Sequence, residues 1–255
     1  MTGATHQQIQ IELHRKLAPQ YAIRYGFPFS RLFQEEWHRE MLAAVPAGSR
    51  AALDIGCGTG FFLRDVRARC DRAVGLDISY DMLALASREL PDTFVTQGDA
   101  ESMPFLDSAF DVVFCKGSLH HTRDHGKFLR GCHRVLRPGG VLILSEPCND
   151  NPLIRAARWM LYRVSSRFHP DDEGFRARQL EAMVRDAGFE VDRTWKFGVL
   201  AYTFAGFPDH LPILKYVPGN VAITRAMIGA DRGIVSIPGL RAFGFHVLCT
   251  ARRPR

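Results

Sequence analysis

The chain has 255 residues, 46% hydrophobic and 24% charged, which is typical of a globular protein large enough for one sizeable core. No apolar run reaches the roughly 18 to 20 residues of a transmembrane helix, and the polar N-terminus predicts no secretory signal. The net charge of +6 is dispersed, as on a mildly basic enzyme surface. The six cysteines are scattered and contain no C-x-x-C pair, which disfavours a zinc ribbon or a disulfide framework and predicts a cytoplasmic location.

The first half of the chain predicts one helix and then alternating strands and helices. Residues 31–44 predict a helix that ends near Pro46 and Gly48, within an N-terminal segment, 1–49, that we interpret as a helical lid. The elements predicted after it are strand 51–55, helix 61–69, strand 73–76, helix 80–90 with Ser79 as its cap, strands 93–96 and 111–115, helix 124–136, a Pro-Gly-Gly turn at 138–140 and strand 141–144. This alternation indicates βαβ units around a parallel sheet that is buried on both faces.

The pattern changes after Glu146. The elements predicted there are helices 152–167 and 175–187 and strands 189–197 and 243–251. Between the last two strands lies an apolar stretch, 198–242, interrupted by proline and glycine. It is too long for a hairpin loop, so we interpret it as an inserted cap.

The strongest motif follows the first predicted strand and reads Asp54-Ile55-Gly56-Cys57-Gly58-Thr59-Gly60. Its glycines allow a sharp turn and the close approach of a ligand, and the next helix offers free N–H groups. A dinucleotide fingerprint, G-x-G-x-x-G, counted from Gly56 would need glycine where Phe61 stands, but the third glycine here is Gly60. The carboxylate of Asp54 favours a cationic ligand over a pyrophosphate. The loop therefore favours S-adenosylmethionine over a nicotinamide dinucleotide.

Two further acids stand at the ends of the next two strands. Asp77 ends the second strand, where a carboxylate can accept hydrogen bonds from both ribose hydroxyls. Asp99 follows the third, where it can accept from an adenine amino group. Either could instead be a capping or turn residue. Because the carboxyl ends of parallel strands meet at one crevice, Asp54, Asp77 and Asp99 together predict a ligand site there.

As a set, these motifs resemble class I S-adenosylmethionine-dependent methyltransferases, in the group that includes the ubiquinone/menaquinone enzymes and many small-molecule methyltransferases. The matching segments lie within residues 50–146 and are 53–60, 75–79, 98–105, 110–114, 119–121 and 134–140. The resemblance implies an α/β, Rossmann-like, doubly wound, seven-stranded sheet with an antiparallel last strand. The domain would span 50–255, with mainly helical cap elements at 147–174 and 198–242, the second inserted between the last two strands.

The resemblance also implies which residues bind S-adenosylmethionine. Ile78 and Ala100 would flank the adenine, and Lys116 and Gly117 would lie near the methionine part. The complete predicted set is Asp54, Gly56, Gly58, Gly60, Asp77, Ile78, Asp99, Ala100, Lys116 and Gly117.

Methyl transfer needs positioning and exclusion of water, and it needs a base only if the acceptor must lose a proton. His120 and His121, just past the fourth strand, are the candidate catalytic residues, although either could instead tie down a loop. We predict no metal site, because the spaced pair His121 and His125 lacks a third ligand at a suitable distance in sequence.

The acceptor is predicted to be a small molecule, apolar or partly anionic, such as a lipid or a secondary metabolite. Nucleic acid is not expected as a partner, because the segment after Cys115 lacks the Asn/Asp-Pro-Pro-aromatic motif of base methyltransferases. The arginines of 152–167 leave membrane-surface contact as an alternative to a solvated helix face. A cofactor-binding module without turnover and, less favoured, a nicotinamide-dependent oxidoreductase stay open, as does the oligomeric state.

Overall fold

A seven-stranded sheet organises the computed structural model, which describes residues 11–12, 26–152, 154–156, 159–160, 174–206, 208 and 211–255. The strands are β1 (Ala51–Ile55), β2 (Arg72–Asp77), β3 (Phe94–Gln97), β4 (Phe110–Lys116), β5 (Leu136–Pro147), β6 (Glu190–Phe197) and β7 (His246–Arg252). Their order is β3-β2-β1-β4-β5-β7-β6. β7 runs antiparallel to both of its neighbours, and the other pairs are parallel. The predicted seven-stranded sheet with an antiparallel last strand is therefore confirmed.

Helices cover both faces of this sheet. They are α1 (Pro28–Leu42), α2 (Phe61–Arg67), α3 (Tyr80–Glu89), α4 (His125–Val135), α5 (Ala177–Asp186) and α6 (Asn220–Ser236). On one face, α4 and α5 bury residues such as Phe128 and Leu180 against the strands. On the other, α1, α2 and α3 bury residues such as Phe33, Leu63 and Leu83. Each fully buried side chain of this size contributes roughly 1.5–3 kcal/mol, so both layers belong to the stabilising core.

The N-terminal helix is part of that core. Phe29, Phe33 and Met41 of α1 are at most 1% exposed and pack with residues of the sheet and of α2. The helix begins three residues before the predicted position 31, since Pro28 suits a first turn, where its missing N–H leaves no bond unmade. The interpretation of 1–49 as a lid stays a prediction, because residues 1–10 and 13–25 lie outside the described residues.

The prediction that a turn at Pro138-Gly139-Gly140 precedes the fifth strand is wrong. β5 already begins at Leu136 and includes these three residues. Gly139 adopts φ +80°, and the register with β4 shifts between Phe110 and Val112. The C-terminal tail supplies the pairing there: the Gly139 N–H donates to the Arg253 carbonyl at 2.8 Å, and the Arg253 N–H donates to the Gly140 carbonyl at 2.9 Å. Partners more than 100 residues away in sequence thus extend the strand through a turn-like segment.

The insertion between β6 and β7 is mainly helical, as predicted. It contains a π-helix (Tyr202–Gly206), 3-10 helices at Pro212–Tyr216 and Leu240–Phe243, and α6. Asp231 of α6 accepts hydrogen bonds from the N–H groups of Val199, Leu200 and Ala201, which fixes the start of the insertion. Buried residues of the insertion, Ala201, Ala205, Leu214 and Ile228, join the α1 side of the core. Most of the predicted helix 152–167 lies outside the described residues.

Candidate functional site

The glycine loop connects β1 to α2 at the carboxyl edge of the sheet. Gly56, Gly58 and Gly60 all have positive φ, at 70°, 54° and 81°. A Cβ at Gly56 would lie 2.5 Å from the Cβ of Ser118, in the loop after β4. Glycine is thus required there both by the backbone conformation and by the close approach of the neighbouring loop.

Asp77 fixes the loop against β2. Its Oδ2 accepts a hydrogen bond from the Gly58 N–H at 2.8 Å, and its Oδ1 accepts one from the Ser79 N–H at 2.8 Å. Each carboxylate oxygen keeps further acceptor capacity for ligand hydroxyls. The predicted capping role of Ser79 is confirmed, because its Oγ accepts from the Met82 N–H at the start of α3.

Asp54, at the end of β1, is 1% exposed. Its Oδ2 is buried, with no hydrogen-bond partner within the described part of the chain. Burial raises the pKa of Asp54 to about 8; the charge of Lys116 acts in the opposite direction, and that of Asp77 adds to the rise. A buried carboxylate oxygen without a partner is costly, so this atom is suited to a cationic or hydrogen-bond-donating ligand group.

Asp99 lies at the same edge, after β3. The Gly98 N–H donates to the Asp77 carbonyl at 3.0 Å, which brings the two acidic segments together. Asp99 Oδ1 accepts from the Glu101 N–H at 2.8 Å, so the residue also forms the turn that the alternative interpretation allowed. Ile78 lies beside this segment, where its carbonyl accepts from Gln97 Nε2. The structure thus gathers the three acids along one edge.

Lys116 and Gly117 follow at the end of β4. The Gly117 N–H donates to the Ser145 carbonyl at 2.7 Å, and Gly117 has φ +69°. The Lys116 ammonium donates to Gln34 Oε1 and lies 2.9 Å from His38 Nε2. α1 therefore reaches the predicted cofactor region through residues that the sequence reasoning did not single out.

The candidate bases lie on a 3-10 helix, Leu119–His121, directly after β4. His120 Nδ1 lies 2.7 Å from Oε2 of Glu146, which is fully buried at the end of β5. Glu146 Oε1 accepts from the Leu119 N–H at 2.9 Å and from the Cys115 thiol at 3.3 Å. Since a carboxylate only accepts, His120 Nδ1 carries a hydrogen, and in the neutral ring Nε2 is then the acceptor. The ring centroids of His120 and His121 lie 4.0 Å apart, with the two ring planes tilted by 40°.

Sequence reasoning missed Glu146. The available signal was an acid at the carboxyl end of a strand that is otherwise apolar, the same signal that identified Asp54 and Asp77. Burial then distinguishes it, because a fully buried glutamate needs several partners to be tolerated. Within the described residues, no group of three or more His, Cys, Asp and Glu side chains is placed to hold a metal ion.

Comparison with known proteins gives a consistent set of relatives. Residues 53–144 match a family model described as a methyltransferase domain. The chain is 32% identical over 187 residues to the ubiquinone biosynthesis O-methyltransferase of Pseudomonas paraeruginosa, an alignment that covers 68% of this chain and 77% of the relative. It is 34% identical over 161 residues to an uncharacterized 37.1 kDa protein in transposon TN4556 of Streptomyces fradiae, where 59% of this chain matches 47% of that protein. The chain thus spans less than half of the transposon protein.

Solved structures share the fold, and two of them cover nearly the whole chain. The [4+2]-cyclase SpnF superimposes with a TM-score of 0.68 at 22% identity, over 99% of this chain and 98% of its own. A SAM-dependent methyltransferase of Thermotoga maritima, described as a possible histamine N-methyltransferase, gives a TM-score of 0.66 at 18% identity, over 95% and 99% of the two chains.

Proposed function

Since the chain belongs to the class I S-adenosylmethionine-dependent methyltransferases, we propose that it methylates a small acceptor that is apolar or partly anionic, a lipid or a secondary metabolite. The chain is a methyltransferase, and its cofactor is S-adenosylmethionine. A relative named for ubiquinone biosynthesis supports an apolar acceptor with an ionisable oxygen.

The residues at the carboxyl edge fit this cofactor, and the observation that carries the proposal is the buried, unpartnered Oδ2 of Asp54. The positively charged methionine end of the cofactor would give that oxygen its missing partner. Asp77 keeps acceptor capacity for ribose hydroxyls, and Asp99 is assigned to the adenine amino group. The other residues assigned to the cofactor are Gly56, Gly58, Gly60, Ile78, Ala100, Lys116 and Gly117.

The bound cofactor supplies a methyl group that its sulfonium already activates. The chain must then position the acceptor, exclude water and, for a hydroxyl acceptor, remove a proton. We assign the proton to His120 Nε2. Glu146 holds the ring in the tautomer that leaves Nε2 free to accept, and its charge stabilises the imidazolium formed by proton transfer. His121, whose ring lies beside that of His120, is the second candidate base.

The insertion is proposed to line the acceptor site and to contact a membrane surface. Large hydrophobic side chains are exposed along it at Leu200, Ile213, Tyr216, Ile237, Leu240 and Phe243. Its cations at Lys215, Arg225, Arg232 and Arg241 outnumber its one described acid, Asp231, which is buried. Such a surface suits an apolar or anionic partner. Within the described residues, no helix is long and apolar enough to cross a bilayer.

The proposal also places the enzyme in the cytoplasm and excludes nucleic acid as the acceptor. All six cysteines are free and buried, which is compatible with a reducing compartment. The residues after Cys115 form the Glu146 network instead of a pocket lined by Pro-Pro-aromatic residues.

Two measurements test the proposal. We expect S-adenosylhomocysteine to bind in isothermal titration, and radiolabelled methyl groups to appear on members of a panel of catechols, hydroquinones and long-chain phenols. Total RNA and DNA serve as negative controls. Tight NAD binding without any response to S-adenosylhomocysteine would contradict the cofactor assignment, and methylated nucleic acid would contradict the acceptor class.

A further inference from the structure

The ammonium of Lys116 lies where several elements meet. It is 2.9 Å from Gln34 Oε1 and 2.9 Å from His38 Nε2, two side chains of α1. The centroid of the Trp37 ring, also on α1, lies 4.3 Å from Nζ. Gln34 and His38 are 2% and 1% exposed, so these contacts are shielded from water. One helix therefore surrounds this cation with two acceptors and an aromatic face.

Lys116 also determines the tautomer of His38. An ammonium has only donors, so His38 Nε2 must accept and Nδ1 must carry the ring hydrogen. Nδ1 lies 2.6 Å from Oδ2 of Asp65, on α2, the helix that the glycine loop opens. Burial and the charge of Lys116 lower the pKa of His38 to about 3, so the ring is neutral near neutral pH. Lys116 is thus connected to the glycine-loop helix through one defined hydrogen-bond chain.

Gln34 links Lys116 to the insertion by hydrogen bonds. While its Oε1 accepts from Lys116, its Nε2 donates to the Gly206 carbonyl at 3.4 Å. A Cβ at Gly206 would lie 3.1 Å from the ring of Phe33, so the insertion packs tightly on α1 at this point. The position of Lys116 is therefore linked through Gln34 to the end of the π-helix of the insertion.

The remaining neighbour is Asp54. β1 and β4 are adjacent, with Ile55 paired to Cys115, so Asp54 and Lys116 stand at neighbouring strand ends. Lys116 is the positive charge that favours the ionised form of Asp54. A second cation placed beside Asp54 would take over that role and repel the ammonium.

Building on the cofactor binding proposed above, we propose that Lys116 is a positioning residue. It couples cofactor binding at the glycine loop to the strength of the contacts that hold α1 and the insertion in place. The Lys116 ammonium already contacts Gln34, His38 and Trp37 without a ligand. A cationic group beside Asp54 would repel this ammonium from Asp54 and so strengthen the contacts that hold α1 and the segment at Gly206. Cofactor binding therefore stabilises the side of the site formed by α1 and the insertion.

The test is hydrogen–deuterium exchange of the full chain with two matched ligands. S-adenosylhomocysteine carries the amino acid end, whereas 5′-methylthioadenosine shares the nucleoside and lacks the ammonium. At saturation, we expect S-adenosylhomocysteine to slow exchange by about tenfold in residues 28–42 and 199–206. Methylthioadenosine should slow exchange only near the glycine loop and the end of β2. Equal protection of α1 by both ligands overturns the proposal.

Three variants sharpen the result. Lys116→Met removes the charge and should abolish the protection of 28–42 by S-adenosylhomocysteine. Gln34→Met should abolish protection of 199–206 while 28–42 stays protected. If Lys116→Met does not fold, this second variant tests the coupling by itself. Lys127→Met, at an exposed lysine of α4, is the control and should behave as wild type. Protection of both segments in the two test variants contradicts the coupling. Failure of wild type to bind S-adenosylhomocysteine contradicts the proposed function itself.

Discussion

At the scale of the residue, the charge state of Asp54 is the most consequential feature of the site. An acid with a raised pKa is protonated below that pKa, here about 8, when no ligand is present. A cationic ligand stabilises the ionised form, so binding must release a proton below that pH. The affinity for S-adenosylhomocysteine should therefore rise by up to about tenfold per pH unit up to about pH 8 and then level off.

Isothermal titration in buffers of different ionisation enthalpy measures the released proton directly. Asp54→Asn should weaken binding at pH 8 and abolish both the proton release and the pH dependence. An affinity that falls as the pH rises would contradict the assignment of Asp54 to a cationic group.

Asp77 makes a different contribution, because it holds the glycine loop and is assigned to the ribose. Asp77→Ala should weaken S-adenosylhomocysteine binding by roughly 1–3 kcal/mol, since hydrogen-bonding groups on both sides lose a partner. Titration measures the loss. Asp81→Ala, on an exposed position of α3, should change affinity by less than twofold.

Disrupting the Glu146–His120 pair should lower kcat while cofactor affinity changes little. Glu146→Gln replaces the acceptor with an amide that can present a donor to Nδ1, which favours the wrong tautomer of His120. We expect kcat for a hydroxyl acceptor to fall by about a hundredfold or more, while S-adenosylhomocysteine affinity changes only a few-fold. Glu181→Gln, on the surface of α5, is the control. A normal kcat in Glu146→Gln would exclude His120 as the base.

At the scale of the element, the C-terminal tail completes α4. The Arg253 guanidinium donates to the carbonyls of His133, Arg134 and Leu136, which the helix end leaves without intrahelical partners. Arg253→Met should lower the free energy of unfolding by about 1–3 kcal/mol in urea titrations. The side chain of its neighbour Arg252 makes an exposed contact with Asp192, so Arg252→Met should lower the free energy of unfolding by about 0.5 kcal/mol or less. Equal losses would contradict the capping role.

At the scale of the whole molecule, the insertion is the surface that we propose for contact with an acceptor or a membrane. We expect the protein to sediment with vesicles rich in phosphatidylglycerol and less with phosphatidylcholine vesicles, and added salt should weaken the binding. Changing Ile237, Leu240 and Phe243 to serine should reduce sedimentation several-fold. Phe94 and Leu106 are exposed outside the insertion, so changing them to serine is the control. Vesicle binding that is unaffected by the triple change would exclude this surface.

Local sequence patterns were sufficient to predict most elements and to place the three acids at the carboxyl edge of the sheet. β1 and β4 each contain a short apolar run, 51–53 and 112–115, and such runs are typical of parallel strands buried on both faces. The glycine loop, Asp77 and Asp99 could be placed because each stands at a strand end, and strand ends of a parallel sheet meet at one edge. The Ser79 cap followed from short-range chemistry.

What only the tertiary structure decided involves contacts between distant residues. The sequence of β5 at Pro138-Gly139-Gly140 is that of a turn, and the strand forms there because the tail pairs with it. Glu146 and Lys116 gain their proposed roles from His120 and from α1, and neither contact leaves a periodic signal in the chain. α1 is a core helix because the insertion and the sheet both pack on it. Most strands and loops thus follow local periodicity and backbone conformation. The strand at 138–140 and the buried charges depend instead on partners that only the folded chain brings within hydrogen-bonding distance.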